Sequence, residues 1–186
     1  MNKGYLLGVD IGTYESKGVL TTIDGNPVSI RVKPHGLSIP RQGWAEHDAE
    51  TVWWGDFCAI VQGLLEDSGI RPHDILAVAC STIGPAIVPV DREIKPLRPG
   101  ILYGIDTRAT AEIAFLEREI GREAIYEKCG TRLSTQSVGP KILWIKNNEP
   151  EIYEKAYKFV GGTTFLAARL TGKYVIDHYS CASNDP

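Results

Sequence analysis

The sequence predicts a mixed α/β or α+β sheet domain that carries a helical elaboration. Two observations predict it. Short apolar runs divided by turn residues fill the first part of the chain, and apolar residues at helical spacing dominate the second. Strands first and helices later is the order of such a sheet domain.

The stretch Tyr5 to Val9 (YLLGV) is a short apolar run suited to a buried strand. Lys17 to Ile23 (KGVLTTI) is a second, and PVSIRVK a third. Asp24-Gly25-Asn26 stands between the last two, and Asp-Gly supplies the positive φ angles of a tight two-residue hairpin. The three runs therefore form an antiparallel meander whose first turn lies in GVDIGTYESKG (Gly8 to Gly18). That turn matches neither G-x-x-x-x-G-K-[ST] nor G-x-G-x-x-G. It carries a carboxylate, Asp10, in its midst.

From Val52 onward, Trp53, Phe57, Ile60, Val61, Leu64 and Leu65 share one helical face. Asp48 is the N-cap candidate, and Ser68-Gly69 is the stop. Ile75 to Ser81 reads as a buried central strand. Ala86 to Asp91 reads as another, with Pro89 marking an edge or a bulge. Ala109, Ile113, Leu116 and Ile120 line a helix that ends at Gly121. PKILWIKNN and PEIYEKAYK each read as a short helix opened by proline, and TTFLAARLTG as one more, stopped by Gly172.

Composition narrows the function classes. The 186 residues suffice for one sizeable core rather than two. Twenty basic and 23 acidic residues give a formal charge of -3, without a Lys/Arg stripe, which disfavours a nucleic-acid partner. No apolar stretch reaches the roughly 18 residues of a membrane span. Asp10 interrupts any signal-peptide core, so a cytoplasmic location is expected. Cys58, Cys80, Cys129 and Cys181 are far apart in sequence and read as buried thiols. His35, His47, His73 and His178 form no metal-ligand pair.

Five blocks together carry a family resemblance: LLGVDIGTYESKGVL, GWAEHDAETVWW, IVPVDREIKPLRPGILYGIDTRA, PKILWIKNNEPEIYEKA and FLAARLTGKYVIDHYSCAS. In that order they resemble the FGGY carbohydrate kinases, which include xylulose, gluconate, ribulose and glycerol kinases. The resemblance covers essentially the whole chain. It implies a ribonuclease-H-like, actin-like ATPase fold, with residues 1–186 as a single partial N-terminal lobe. It implies ATP and Mg²⁺ as cofactors, a ketose, polyol or sugar acid as substrate, and phosphoryl transfer between them. Xylulose kinase is the nearest type. The family's catalytic aspartate lies in a Gly-Asp-Gln motif expected beyond Pro186, so the chain is expected to lack its base, its C-terminal lobe and turnover. An exposed apolar patch, and with it a homodimer, is expected of such a piece.

The resemblance also implies residue roles. Asp10 holds Mg²⁺ directly or through water. Gly12, Thr13 and Lys17 serve the nucleotide phosphates, the turn's amides forming an anion nest. The alternative is a hairpin that uses Gly and Asp for local geometry alone. Tyr103 takes the place of an aromatic packed on substrate carbons, or is a core or surface tyrosine. Asp106, in the family's Asp-x-Arg motif, either accepts sugar hydroxyls or caps the helix starting near Thr107. The run CSTIGPAIVPVD departs from the family. Gly84 and Pro85 stand at polar substrate-contacting positions, which argues against glycerol and moves recognition toward Thr82, Gln136 or Ser137. Trp44, Glu46 and Asp48 of GWAEHD read as capping and loop packing. Asp177 reads as ordering its loop. Ser81 lacks the flanking glycines of a hydrolase nucleophile. A non-catalytic actin-like nucleotide-binding or scaffolding module is the competing reading, and a phosphatase on the same fold a third.

Overall fold

The structure, a computed structural model, describes residues 4–183, with backbone alone for residues 182 and 183. The reading of the extreme N-terminus therefore falls partly outside the described residues. The chain runs through β1 (Tyr5–Ile11), β2 (Glu15–Thr22), β3 (Pro27–Pro34), β4 (Glu46–His47), α1 (Gly55–Ser68), β5 (Ile75–Thr82), β6 (Val88–Val90) and β7 (Gly100–Ile101). It continues through α2 (Thr110–Ile120), α3 (Arg122–Cys129), α4 (Val138–Asn148), α5 (Pro150–Lys155), β8 (Lys158–Val160), α6 (Gly162–Thr171) and α7 (His178–Ser183). Where length suggested one core, two compact units form: Met1–Leu37 with Glu50–Ile83, and Ser38–Ala49 with Gly84–Pro186.

The first unit is a four-stranded sheet of order β3-β2-β1-β5, with α1 on one face. β1, β2 and β3 pair antiparallel, as the meander predicted, and β5 pairs parallel to β1. The pleat sorts side chains by parity. Leu7, Val9, Ile11 and Leu20 are buried, as are Phe57, Ile60 and Leu64 of α1. Gly18 permits the approach of α1, since a Cβ there would overlap Ile60 Cγ2 and lie 3.1 Å from Leu64 Cδ1. Gly69, at φ 64°, closes α1 by donating its N–H to Leu65 O.

Three features of this unit differ from the sequence reading. The β2–β3 connection is not a two-residue turn: Gly25 alone has positive φ (82°), its N–H donates to Thr22 O, and the register shifts between Leu20 and Thr21. Asp24 keeps a negative φ, so a four-residue connection with a bulge replaces the mirror-image turn. A π-helical turn, Ala49–Trp54, follows Asp48 directly, and the N-cap of α1 is Trp54, with no side-chain cap. Finally, β5 is an outer strand rather than a buried central one, with Leu76 67% and Val78 47% exposed. Among the described residues no strand pairs with its far edge. Leu6, Ile30 and Val32 are also exposed, on the face away from α1, giving the apolar patch that was anticipated.

In the second unit, β4 pairs with β7 and β6 with β8, both antiparallel. Ile87, Ile101, Ala109, Val138, Trp144 and Ile145 make the core, with Trp44 edge-on to Trp144 at 5.1 Å between centroids. Pro89 sits in β6 opposite Phe159, in a two-stranded ribbon that tolerates it. The helix read through Lys158 ends at Lys155, because the following residues turn back onto β6: Tyr157 N–H donates to Val90 O and β8 begins. α3 and α7 were not anticipated. The cysteines are not buried either; Cys58 and Cys181 are exposed, and Cys80 and Cys129 intermediate. Cys80 lies on the outer strand β5, which leaves it partly uncovered.

Candidate functional site

In the first unit the sheet register gathers the predicted nucleotide residues. Asp10, near the end of β1, lies opposite Lys17 of β2 and opposite Ser81 of β5. The Ser81 hydroxyl donates to Asp10 Oδ1. Asp10 is otherwise exposed, at a groove of about 400 Å³ lined also by Gly8, Lys17, Val19 and Ile30. Lys17 pairs with Glu15 at 2.8 Å, and the hydrogen bond it donates to this carboxylate raises its pKa above the ordinary lysine value. Lys17 therefore stays cationic beside the groove.

The turn Gly12-Thr13-Tyr14 closes through the Gly12 N–H, which donates to Glu15 O at 3.0 Å. A Cβ at Gly12 would stand 2.8 Å from that carbonyl, so glycine is required for the close approach. The Gly12 amide is thus taken up by the turn rather than presented to an anion. Behind the turn, His35 donates its backbone N–H to Tyr14 O at 2.8 Å, and its Nε2 lies 3.2 Å from Gly12 O. His35 Nδ1 is 2.7 Å from Asp56 Oδ2, which also accepts the Ser16 hydroxyl at 2.8 Å. Lys33 pairs with the other oxygen of Asp56. Ser16 and Asp56 are buried. Sequence reading found none of these partners, because they are brought together by strand register and helix docking, 19 to 40 residues apart.

One exposed carboxylate suits Mg²⁺, which keeps several waters and shares its shell with phosphates. Among the described residues no group of three or more His, Cys, Asp or Glu could hold a metal as a protein cage. Asp10 fits the first arrangement.

In the second unit the predicted sugar residues separate into two kinds. Tyr103 is half-buried, and beside it Gly104 packs on Gln136: a Cβ at Gly104 would lie 3.2 Å from the Gln136 side chain. Thr135 Oγ1 donates to Gly104 O at 2.9 Å. Tyr103 and Gln136 thus share one neighbourhood. Gly84 and Pro85 are joined by a cis peptide bond. Thr82 belongs to the first unit, at the end of β5. Asp106 is 1% exposed, and its carboxylate is fully engaged. It accepts Ala45 N–H at 2.7 Å, Arg108 N–H at 3.1 Å and the Arg108 guanidinium at 2.7 to 3.0 Å. The expected helix cap does not form: α2 starts at Thr110, its N-cap is Ala109, and no side chain caps it. Asp106 instead turns the chain locally and neutralises Arg108.

Arg108 is the centre of a buried network that the sequence did not reveal. Its Nη1 lies 2.8 Å from Glu46 Oε1, off the hydrogen-bonding direction, so that contact is ionic. Its guanidinium stacks on Trp44 at 4.1 Å and on Trp144 at 5.0 Å. Glu46 also binds Arg98 at 2.6 Å. The GWAEHD motif thus supplies an anion and an aromatic to hold the Asp106–Arg108 loop. Next to it, buried Lys141 donates to Leu102 O at 2.6 Å. Burial lowers its pKa to about 8, against the pull of Asp106, which raises it. Asp177 accepts Ser180 N–H at 2.9 Å and opens α7, and these hydrogen bonds hold its carboxyl below the usual range.

Comparison with known proteins places the chain in a family. A glycerol kinase from Thermococcus gammatolerans is 33% identical over 184 residues, covering 96% of this chain and 36% of its own. A xylulose kinase from Staphylococcus xylosus is 26% identical over 168 residues, covering 90% and 34%. The crystal structure of xylulose kinase from Rhodospirillum rubrum superposes with a TM-score of 0.88 at 27% identity, over 97% of this chain and 37% of that one. The chain thus spans about a third of the length of the relatives it matches. The model of the FGGY family of carbohydrate kinases, N-terminal domain, matches residues 5–185. The chain belongs to the FGGY family of carbohydrate kinases, whose N-terminal domain it matches almost from end to end.

Proposed function

We propose that the complete protein is an ATP-dependent sugar kinase that transfers the γ-phosphoryl group to a hydroxyl of a ketose, polyol or sugar acid, most closely of the xylulose kinase kind. The observation that carries the reading is the exposed Asp10 carboxylate, oriented by Ser81 next to a glycine-closed turn, in a chain of this family. Asp10 would hold Mg²⁺, which supplies charge neutralisation to the phosphates when bound. The turn at Gly12 and Thr13 would lie against phosphate oxygens, with Lys17 adding positive charge. Tyr103, Gln136, Gly84 and Pro85 of the second unit would contact the sugar, and Thr82 is a separate candidate contact on the first unit. Asp106, buried as it is, would serve by fixing the loop that carries Tyr103.

The residues assigned here bind and orient, and the base that deprotonates the hydroxyl is expected outside this chain. The 186-residue chain alone is therefore expected to show no sugar-dependent ATP consumption. The test of the reading is a coupled ATPase assay of the full-length protein with ketoses, polyols and sugar acids. Turnover with one of these classes supports it. ATP consumption independent of all of them overturns it.

A further inference from the structure

We propose that His35 is a positioning residue that sets the direction of the Thr13 amide, through the carbonyl of Gly12; its functional weight rests on the phosphate reading above, its geometry does not. The argument starts from the peptide unit. Gly12 C=O and Thr13 N–H belong to one planar trans peptide and point in opposite directions. Whatever fixes the carbonyl fixes the amide. His35 Nε2 lies 3.2 Å from the Gly12 oxygen. A carbonyl only accepts, so the contact is a hydrogen bond when Nε2 carries the proton.

The ring cannot swing away freely. Its side chain is 5% exposed, and its Nδ1 is held at 2.7 Å by Asp56, a buried carboxylate on α1. The backbone of the same residue clamps the other side of the turn, through His35 N–H to Tyr14 O at 2.8 Å. The one residue that follows β3 thus grips both carbonyls that flank Thr13. The groups around the ring include the Asp56 carboxylate, the Ser16 hydroxyl at 3.3 Å, the Gly12 carbonyl and, through Asp56, the Lys33 ammonium. Donation to both Asp56 and Gly12 at once requires a proton on each ring nitrogen. The chain runs from the sheet-facing helix, through Asp56 and His35, to the peptide at the tip of the turn. An amide aimed in advance at a developing charge needs no reorganisation when the charge arrives.

Two amide substitutions separate the bond to Gly12 from the bond to Asp56. In His35→Gln the side-chain nitrogen reaches about where Nε2 stands and keeps the Gly12 donor. In His35→Asn it reaches only as far as Nδ1 and keeps the Asp56 donor. The experiment is ¹H–¹⁵N NMR of the full-length protein, wild type and both variants, read at the Thr13 amide and, in the wild type, at the imidazole nitrogens. Magnesium ADP is then titrated into each. The expected results are a protonated Nε2 in the wild type and a Thr13 resonance little changed in His35→Gln but displaced in His35→Asn. Magnesium ADP affinity should fall about tenfold in His35→Asn and less than about threefold in His35→Gln, the size of one hydrogen bond. An unprotonated Nε2 in the folded wild type overturns the proposal without recourse to any variant. So does a Thr13 amide that responds equally to both substitutions. If Thr13 distinguishes the variants while magnesium ADP leaves the turn unmoved, the positioning stands and the phosphate reading fails.

Discussion

Replacing Gly18 by alanine tests how closely α1 is seated on the sheet that carries the Gly12–Tyr14 turn. The added Cβ would overlap Ile60 Cγ2 and lie 3.1 Å from Leu64 Cδ1, where ordinary contacts begin near 3.4 Å. Ile60 and Leu64 are 1% and 0% exposed, so neither has solvent to move into, and the helix must lift or the side chains leave their rotamers. Overpacking of this kind costs about 1–3 kcal/mol. Lower unfolded-state entropy offsets about 0.4–1 kcal/mol of it. A net loss of about 1–2 kcal/mol is expected, read as a lower urea midpoint at unchanged slope. The Ile60→Ala background makes the test specific. That change alone costs about 2–5 kcal/mol, but it vacates the volume that the new Cβ needs. Gly18→Ala should then cost almost nothing, a coupling of about 1 kcal/mol or more in a double-mutant cycle. A neutral Gly18→Ala in the wild type, or the same cost in both backgrounds, would refute the reasoning.

Arg108→Met strips the cation from buried Asp106 and Glu46, and should destabilise the chain by about 3–5 kcal/mol, measured by urea unfolding. Lys141 binds its proton less tightly folded than unfolded, since burial takes its pKa from 10.5 to about 8. Between those values the unfolded chain holds more protons, so stability rises with pH across that window, by about 3 kcal/mol if the group stays in place. Lys141→Met should flatten that rise in urea midpoints taken from pH 7.5 to 10; a rise that persists would assign it to another group.

The elements set by local chemistry were legible from the sequence. The meander and the Gly69, Gly121 and Gly172 stops depend on residues within a turn or two of one another, whereas the apolar face read for α2 is not the buried one, with Ile120 52% exposed and Glu112 buried. What escaped depends on residues far apart. Ile75 to Ser81 has the composition of a central strand, yet its exposure is decided by which segments pair beside it, which its own residues do not state. The helix read through Lys158 stops at Lys155, and Lys158–Val160 becomes a strand because β6 offers an edge. Near Asp10, the turn at Gly12 was legible as a turn because it is local. Ser81 aligns with Asp10 only through the parallel register of β5, and His35 reaches Gly12 only across the sheet. Asp106 was recognised as important, but its task was misjudged, since Ala45 and Arg108 saturate a carboxylate that the sequence leaves open.

The central claim is that Asp10 and its turn serve phosphoryl transfer to a sugar. The most direct measurement is sugar-dependent ATP consumption by the full-length protein and by its Asp10→Asn variant, which keeps the side chain's shape and loses its charge. The account predicts turnover with a ketose, polyol or sugar acid, and a loss of about a hundredfold or more in the variant, since metal-held phosphate charge contributes several kcal/mol to the barrier. A variant as fast as the wild type would contradict it.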